Sequence, residues 1–208
     1  MTTTAKARLG LVALLVVAAV AIVIARRTDP EAVDRATSAA PATPAGEPAP
    51  LPILAASAPA VQADGWLNTE PLAAADLAGK VVLYEFWTFG CSNCRAVLPY
   101  VEAWHERYAK DGLVVLSIHT PEFDYEADPD AVADFVDEEG VTYPVALDPD
   151  RDTWRAFENH AWPAIYLHDQ QGRRRLVHLG EGRYDETEDA IRQLLDVAPD
   201  AERAEVRA

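Results

Sequence analysis

Cysteine is scarce in this chain: two residues among 208. Two thiols cannot build the disulfide framework that staples small secreted modules, nor close a Cys-only zinc site. Histidine does not supply the missing ligands, because none of the five is paired with another at metal-ligand spacing; no metal is expected. Basic charge is short as well. Eighteen Lys and Arg stand against 34 Asp and Glu, a net charge of −16, with no basic stripe. Phosphate repels such a polyanion, so nucleic acid is excluded as a partner. Internal repeats and a collagen period are absent too, which removes solenoids and triple helices.

What is present divides into segments. Leu9 to Ala25 (LGLVALLVVAAVAIVIA) carries no charge, with Lys6 and Arg8 before it and Arg26 and Arg27 after it. At about 1.5 Å per residue it spans roughly 25 Å, the short end of a bilayer core. Residues 1–27 are therefore read as a membrane anchor or signal segment. An uncleaved anchor fits the length of the run; a cleaved signal peptide fits the small residues Ala19 and Ala21. Residues 28–60 turn to Ala, Pro, Ser and Thr, with six prolines from Pro41 to Pro59, and read as an extended linker. Residues 61–198 carry the pattern of one α/β domain, followed by a tail over 199–208. The acidity lies on the domain side: from Pro50 onward 13 basic residues face 30 acidic ones, a net −17.

Within the domain, residues 81–86 are a β-rich run after the turn signal Ala78-Gly79-Lys80. Val97, Val101, Trp104 and Tyr108 recur at helical spacing over 94–110, and Asp111-Gly112 ends the pattern. Strands are expected at 113–118, 142–146, 164–167 and 176–179, and helices at 130–139, 152–157 and 185–197. Gln171-Gly172 signals a hairpin between the last two strands. Strand–helix–strand–helix, then a hairpin and a helix, implies a mixed sheet with helices on both faces.

Chemistry concentrates at one turn. Trp87-Thr88-Phe89-Gly90-Cys91-Ser92-Asn93-Cys94 lies between the first strong strand and its helix. At a helix N-terminus, unpaired N–H groups and the positive end of the dipole lower the pKa of the first thiol. The second thiol lies one turn further on, placed to attack a mixed disulfide. A purely structural crosslink would close a very short loop, worth roughly 2 kcal/mol. Half a zinc site would lack two ligands. Dithiol redox chemistry is the stronger reading.

Five stretches, KVVLYEFWTFGCSNC, LPYVEAWHERYAKDGLVVLSIHTPEF, TYPVALD, TWRAFENHAWPAIYL and GEGRYDETEDAI, resemble in this order the thioredoxin superfamily. The similarity is to its membrane-tethered TlpA-like and redoxin-type members, and in particular to the thioredoxin-like C-terminal domain of DipZ-type proteins. It covers nearly all of residues 61–198. The resemblance implies a thioredoxin fold, a central mixed sheet with helices on both faces, with a TlpA-like insertion over residues 125–157. It also implies a thiol–disulfide oxidoreductase tethered to the cell membrane by the N-terminal helix, with the domain extracytoplasmic (secreted if the segment is cleaved). The expected partners are protein thiols and disulfides and a membrane electron donor. The Cys91–Cys94 pair serves as the redox group, with no other cofactor.

Residue by residue, Cys91 takes the place of the attacking cysteine and Cys94 that of the resolving one. Glu85, on the strand before Cys91, falls where thioredoxins keep a buried acid that exchanges a proton with the resolving thiol. Trp87 matches a tryptophan beside the active site, and Trp162-Pro163 the cis-proline loop whose backbone pairs with a substrate. Trp87, Trp162 and Pro163 are thus the expected substrate-binding residues. Pro99 matches the proline that kinks the first helix. Gly90 departs from the commoner Trp, which is expected to leave the dithiol's flank less covered.

The remaining features read plainly. The acidic run 122–139 is read as a solvated helix face and loop, with docking of basic partners as the alternative, and Arg173, Arg174 and Arg175 as a solvated run on the hairpin. Arg95 either favours the thiolate or points into solvent, and His119 is assigned no chemistry. Two rival functions stand beside the oxidoreductase. One is a thiol peroxidase, since Thr88-Phe89-Gly90-Cys91 follows the peroxiredoxin T-x-x-C pattern, although Tyr84 stands where that pattern has proline. The other is a non-catalytic binding module on the same fold.

Overall fold

The computed structural model of the chain describes residues 49–198 and 200–206. The anchor expected at 1–27 and the linker up to residue 48 lie outside the described residues. Among the described residues, no helix is long and apolar enough to cross a membrane.

The domain runs β1 (Gly65–Leu67), β2 (Val81–Trp87), α1 (Ser92–Tyr108), β3 (Leu113–His119), α2 (Pro129–Glu139), β4 (Val145–Leu147), α3 (Asp152–Ala156), β5 (Ala164–His168), β6 (Arg174–Leu179) and α4 (Tyr184–Leu194). Short 3₁₀ turns follow α1 and precede α2, at Ala109–Asp111 and Asp124–Ala127. The strands form one sheet in the order β1-β4-β3-β2-β5-β6. β2 pairs parallel with β3, and β3 with β4, while β2–β5, β5–β6 and β1–β4 are antiparallel. The expected mixed sheet is therefore present, with β2 near its centre.

Every residue of β2 is buried, which is why its sequence is nearly continuous in apolar residues rather than alternating. Alternate side chains serve two cores. Val81, Leu83 and Trp87 join Val97, Val101, Trp104 and Tyr108 of α1, Phe135 of α2 and Ile191 of α4. Val82, Tyr84 and Phe86 join Trp154 of α3 and Phe157, with Leu72 and Leu77 packed alongside. Helices thus cover both faces. Glu85 falls by alternation on the first face, with the α1 helix and Cys94.

Local sequence sets the ends of the helices that flank the dithiol. Cys91 is the N-cap of α1, and after Tyr108 a 3₁₀ turn leads into Gly112, at φ 106. Asp128 caps α2 by accepting from the Asp130 N–H at 3.0 Å. Pro129 opens that helix, and Gly140, at φ 69, ends it.

Three features go beyond the sequence reading. β1 was not expected, because three residues are too few to show a period. Residues 51–55, in the Pro-rich stretch, lie along β6: Leu54 N–H donates to Arg174 O at 2.8 Å and Arg174 N–H to Ala55 O at 3.0 Å. This covers part of the sheet's edge. The arginines of the hairpin are not a solvated run. Arg173 and Arg175 both bind the buried Asp169, the latter at 2.8 Å, and Arg175 also holds the carbonyls of Leu51 and Pro52. Arg174 lies over the Tyr166 ring at 5.5 Å. Burial works to raise the Asp169 pKa, but the hydrogen bonds from Arg173 and Arg175 outweigh it and hold the carboxyl at about 2.

Candidate active site

The turn between β2 and α1 places the two cysteines one helical turn apart, joined as a disulfide with Cα atoms 5.2 Å apart. Their exposures differ. Cys91 is half-buried and Cys94 is fully buried against the core. The Cys94 N–H points at Cys91 Sγ, 3.2 Å away, so a backbone dipole of the first helical turn is aimed at the accessible sulfur. That geometry stabilises a thiolate on Cys91 once the bond is reduced. It also leaves Cys91 as the sulfur an external partner can reach.

Glu85 has no exposed surface. Its Oε2 accepts from Ser117 Oγ at 3.1 Å, across the parallel β2–β3 pair in which the two residues are register partners. Oε1 has no partner, nor does the buried Tyr143 hydroxyl, although that hydroxyl lies near enough to interact with the carboxyl. Burial pushes the Glu85 pKa up from 4.5 to about 7, with Ser117 and Tyr143 pulling against it. Such a carboxyl can both take and return a proton near neutral pH.

Trp162 and Pro163 stand ahead of β5, and the bond between them is cis. The Trp162 ring is half-buried and packs on Trp154 at 4.0 Å, while its Nε1 donates to Thr120 O at 2.9 Å. Trp87 is different. It has no exposed surface and packs edge-on to His119 at 4.9 Å and against Phe135 at 5.3 Å. It supports the site from below and presents nothing to a substrate.

Gly90 is exposed, in line with the expectation from its missing side chain, but the space a side chain would take is occupied. A Cβ built on Gly90 would lie 2.1 Å from Glu126 Oε1 and 2.7 Å from the Tyr125 hydroxyl. A side chain there would have to displace these two side-chain ends, which belong to the turn before α2. Glu126 is itself buried, unlike its acidic neighbours. Burial works to raise its pKa, but the Phe123 and Glu122 N–H groups, with the Thr88 and Tyr125 hydroxyls, pull it below the usual value. Thr88 Oγ1 also meets His119 Nε2 at 3.3 Å, and the Phe89 N–H points at the same nitrogen at 3.4 Å. Burial holds His119 at about 4, against the opposing charge of Glu126, so the ring is neutral at physiological pH and Nε2 accepts. Sequence reasoning missed Glu126 and His119. The one available signal was the coincidence of an unexpected Gly90 with an insertion carrying an aromatic and an acid.

Arg95 binds the turn that carries the dithiol, its Nε donating to Phe89 O at 3.4 Å. Its Nη1 pairs with Glu139 at 2.6 Å and its guanidinium lies over Phe135 at 4.5 Å. Among the described residues, no group of His, Cys, Asp or Glu is arranged to hold a metal ion.

Residues 54–176 match the AhpC/TSA family. Over 137 residues the chain is 44% identical to protein DipZ of Mycobacterium tuberculosis, covering 64% of this chain and 20% of DipZ; it thus spans about one fifth of that relative. It is 31% identical to the thiol-disulfide oxidoreductase YkuV of Bacillus subtilis, covering 55% of this chain and 77% of YkuV. Among solved structures, a thiol-disulfide isomerase from Corynebacterium glutamicum superposes with a TM-score of 0.61 at 28% identity. That match covers 68% of this chain and 98% of the isomerase. The dithiol turn, the sheet and these relatives agree: the chain belongs to the AhpC/TSA family, among its thioredoxin-like thiol–disulfide oxidoreductases.

Proposed function

We propose that the domain reduces disulfides of polypeptides on the outer side of the cytoplasmic membrane, held there by its N-terminal segment and resupplied by a membrane dithiol donor. One observation carries the chemistry: a half-exposed Cys91 above a fully buried Cys94, with a buried acid of pKa about 7 on the same face. The Cys91 thiolate attacks one sulfur of the substrate disulfide, forming a mixed disulfide and expelling the other sulfur as a thiolate. Cys94 gives its proton to Glu85 and attacks Cys91 Sγ. The Cys91–Cys94 bond forms, the second substrate sulfur leaves, and the two departing thiolates take up two protons, one of them returned by Glu85. Two electrons have passed to the substrate, and two from the donor restore the dithiol.

The uncharged 9–25 run and the Pro-rich stretch after it support tethering. The peroxidase alternative finds less support. It needs Thr and Arg at the reacting thiol, whereas Thr88 is fully buried and engaged with His119, and Arg95 is paired with Glu139. Alkylation trapping of the Cys91–Cys94 pair in intact cells tests the direction. A mainly reduced pair supports the reductase; a mainly oxidised pair would make the domain a disulfide donor. A C-terminal reporter active only in the cytoplasm would overturn the location.

A further inference from the structure

The turn that packs beside Gly90 also exposes two aromatic rings. Phe123 and Tyr125 are 55% and 62% exposed, and they stack on each other at 5.9 Å with planes 7° apart. Tyr125 meets Phe89 edge-on at 5.9 Å, and Phe89 stacks on His119 at 5.7 Å. The result is a continuous aromatic face that starts two residues before Cys91. Water-exposed rings gain little for the fold, yet the backbone beneath Phe123 is anchored. Glu126 Oε2 binds the Glu122 and Phe123 N–H groups at 2.7 and 3.1 Å, and Arg151 binds the carbonyls of Pro121 and Glu122 at 2.6 and 3.2 Å. A surface fixed in this way loses little entropy when a partner covers it.

Charge indicates what that partner carries. From Pro121 to Glu139 there are nine acidic residues and no basic one. Glu122, Asp124, Asp128 and Asp130 are exposed, and none has an ion pair among the described residues. These four carboxylates outnumber the guanidinium groups of Arg151 and Arg95 that bind the backbone of this face, so they attract cations and repel anions within about a Debye length, roughly 8–10 Å.

We propose that the Phe89–Phe123–Tyr125 face docks polypeptide substrates that carry an apolar side chain beside their reactive cysteine and Lys or Arg beyond it. This rests on the reading of the domain as a reductase of polypeptide disulfides, and it names which polypeptides are preferred. Aromatic burial supplies affinity, and the acidic surround speeds encounter and sets the partner's sign.

The test uses the reduced full chain in single-turnover reactions, quenched by alkylation. The substrates are four peptide disulfides, with Phe or Ser beside the cysteine and Lys or Glu flanking it, and neutral 2-hydroxyethyl disulfide as reference. The Phe/Lys peptide is expected to react about ten-fold faster than the Ser/Glu peptide, with the Lys advantage shrinking as salt rises. Phe123→Ser should remove most of the Phe advantage, and Asp124→Lys should cut the Lys advantage, with the reference reaction unchanged for both. Equal rates for the four peptides, or preferences that survive both substitutions, would overturn the docking face while leaving the reductase intact. Failure to reduce any disulfide would overturn the proposed function itself, and the docking face with it.

Discussion

Replacing Glu85 by Gln removes a buried carboxyl while keeping its shape and its acceptor for Ser117. In the folded protein its pKa is raised from 4.5 to about 7 by burial, so the protonated form is the one the fold prefers. The stabilisation from holding that proton is fully present below pH 4.5 and is lost as the pH rises through about 7. At about 1.4 kcal/mol for each pH unit, the loss comes to ~3 kcal/mol. Denaturant unfolding of the oxidised protein between pH 4 and 8.5 reads it directly. Wild type should weaken across this window, and Glu85→Gln should show a correspondingly flatter profile. Gln brings an amide that must also be buried, so the slope with pH is the readout and the absolute stability is not. The same variant should slow resolution of the mixed disulfide by about 10²-fold near pH 7, since Cys94 loses its proton acceptor. Parallel pH profiles for wild type and variant, with an unchanged resolution rate, would refute the argument that this carboxyl is the internal base.

Other consequences follow from single contacts. Tyr143→Phe removes a group that favours the Glu85 carboxylate, so the pH at which resolution reaches half its maximum should rise. Gly90→Ala drives a Cβ into Glu126 and Tyr125; displacing them should cost ~1–3 kcal/mol and lower the melting temperature. Asp169→Ala leaves Arg173 and Arg175 without their shared buried carboxylate, a loss of ~3 kcal/mol, and should speed proteolysis of residues 49–56. Because Asp169 is held at about 2, below its usual 3.8, its contribution is present above pH 3.8 and disappears as the pH falls through about 2; acid titration of stability should show that step in wild type and lack it in the variant.

The sequence carried the dithiol and the central strands because their signals are local. Two cysteines at fixed spacing, a run of β-branched and aromatic residues at 81–87, and the Val97–Tyr108 stripe each declare themselves within a few residues. β1 is only three residues long and owes its existence to pairing with β4. Glu126 looked like one more solvated acid in an acidic run. What sets it apart is the space left by Gly90, which is 36 residues earlier in the chain and becomes its neighbour only in the folded domain. Asp169 and its arginines show the same limit, since three adjacent basic residues look solvated until the hairpin brings two of them, Arg173 and Arg175, onto one buried carboxylate. Composition marked residues 49–60 as linker, yet composition carries no trace of the β6 edge against which part of that stretch lies.

In the proposed reaction Cys91 attacks and Cys94 resolves. Mixed-disulfide trapping tests it most directly, with Cys94→Ser and Cys91→Ser versions of the full chain expressed in cells and separated without reductant. Polypeptide adducts, released by dithiothreitol, are expected on the Cys94→Ser protein and none on the Cys91→Ser protein. Adducts formed through Cys94, or by neither protein, would contradict it.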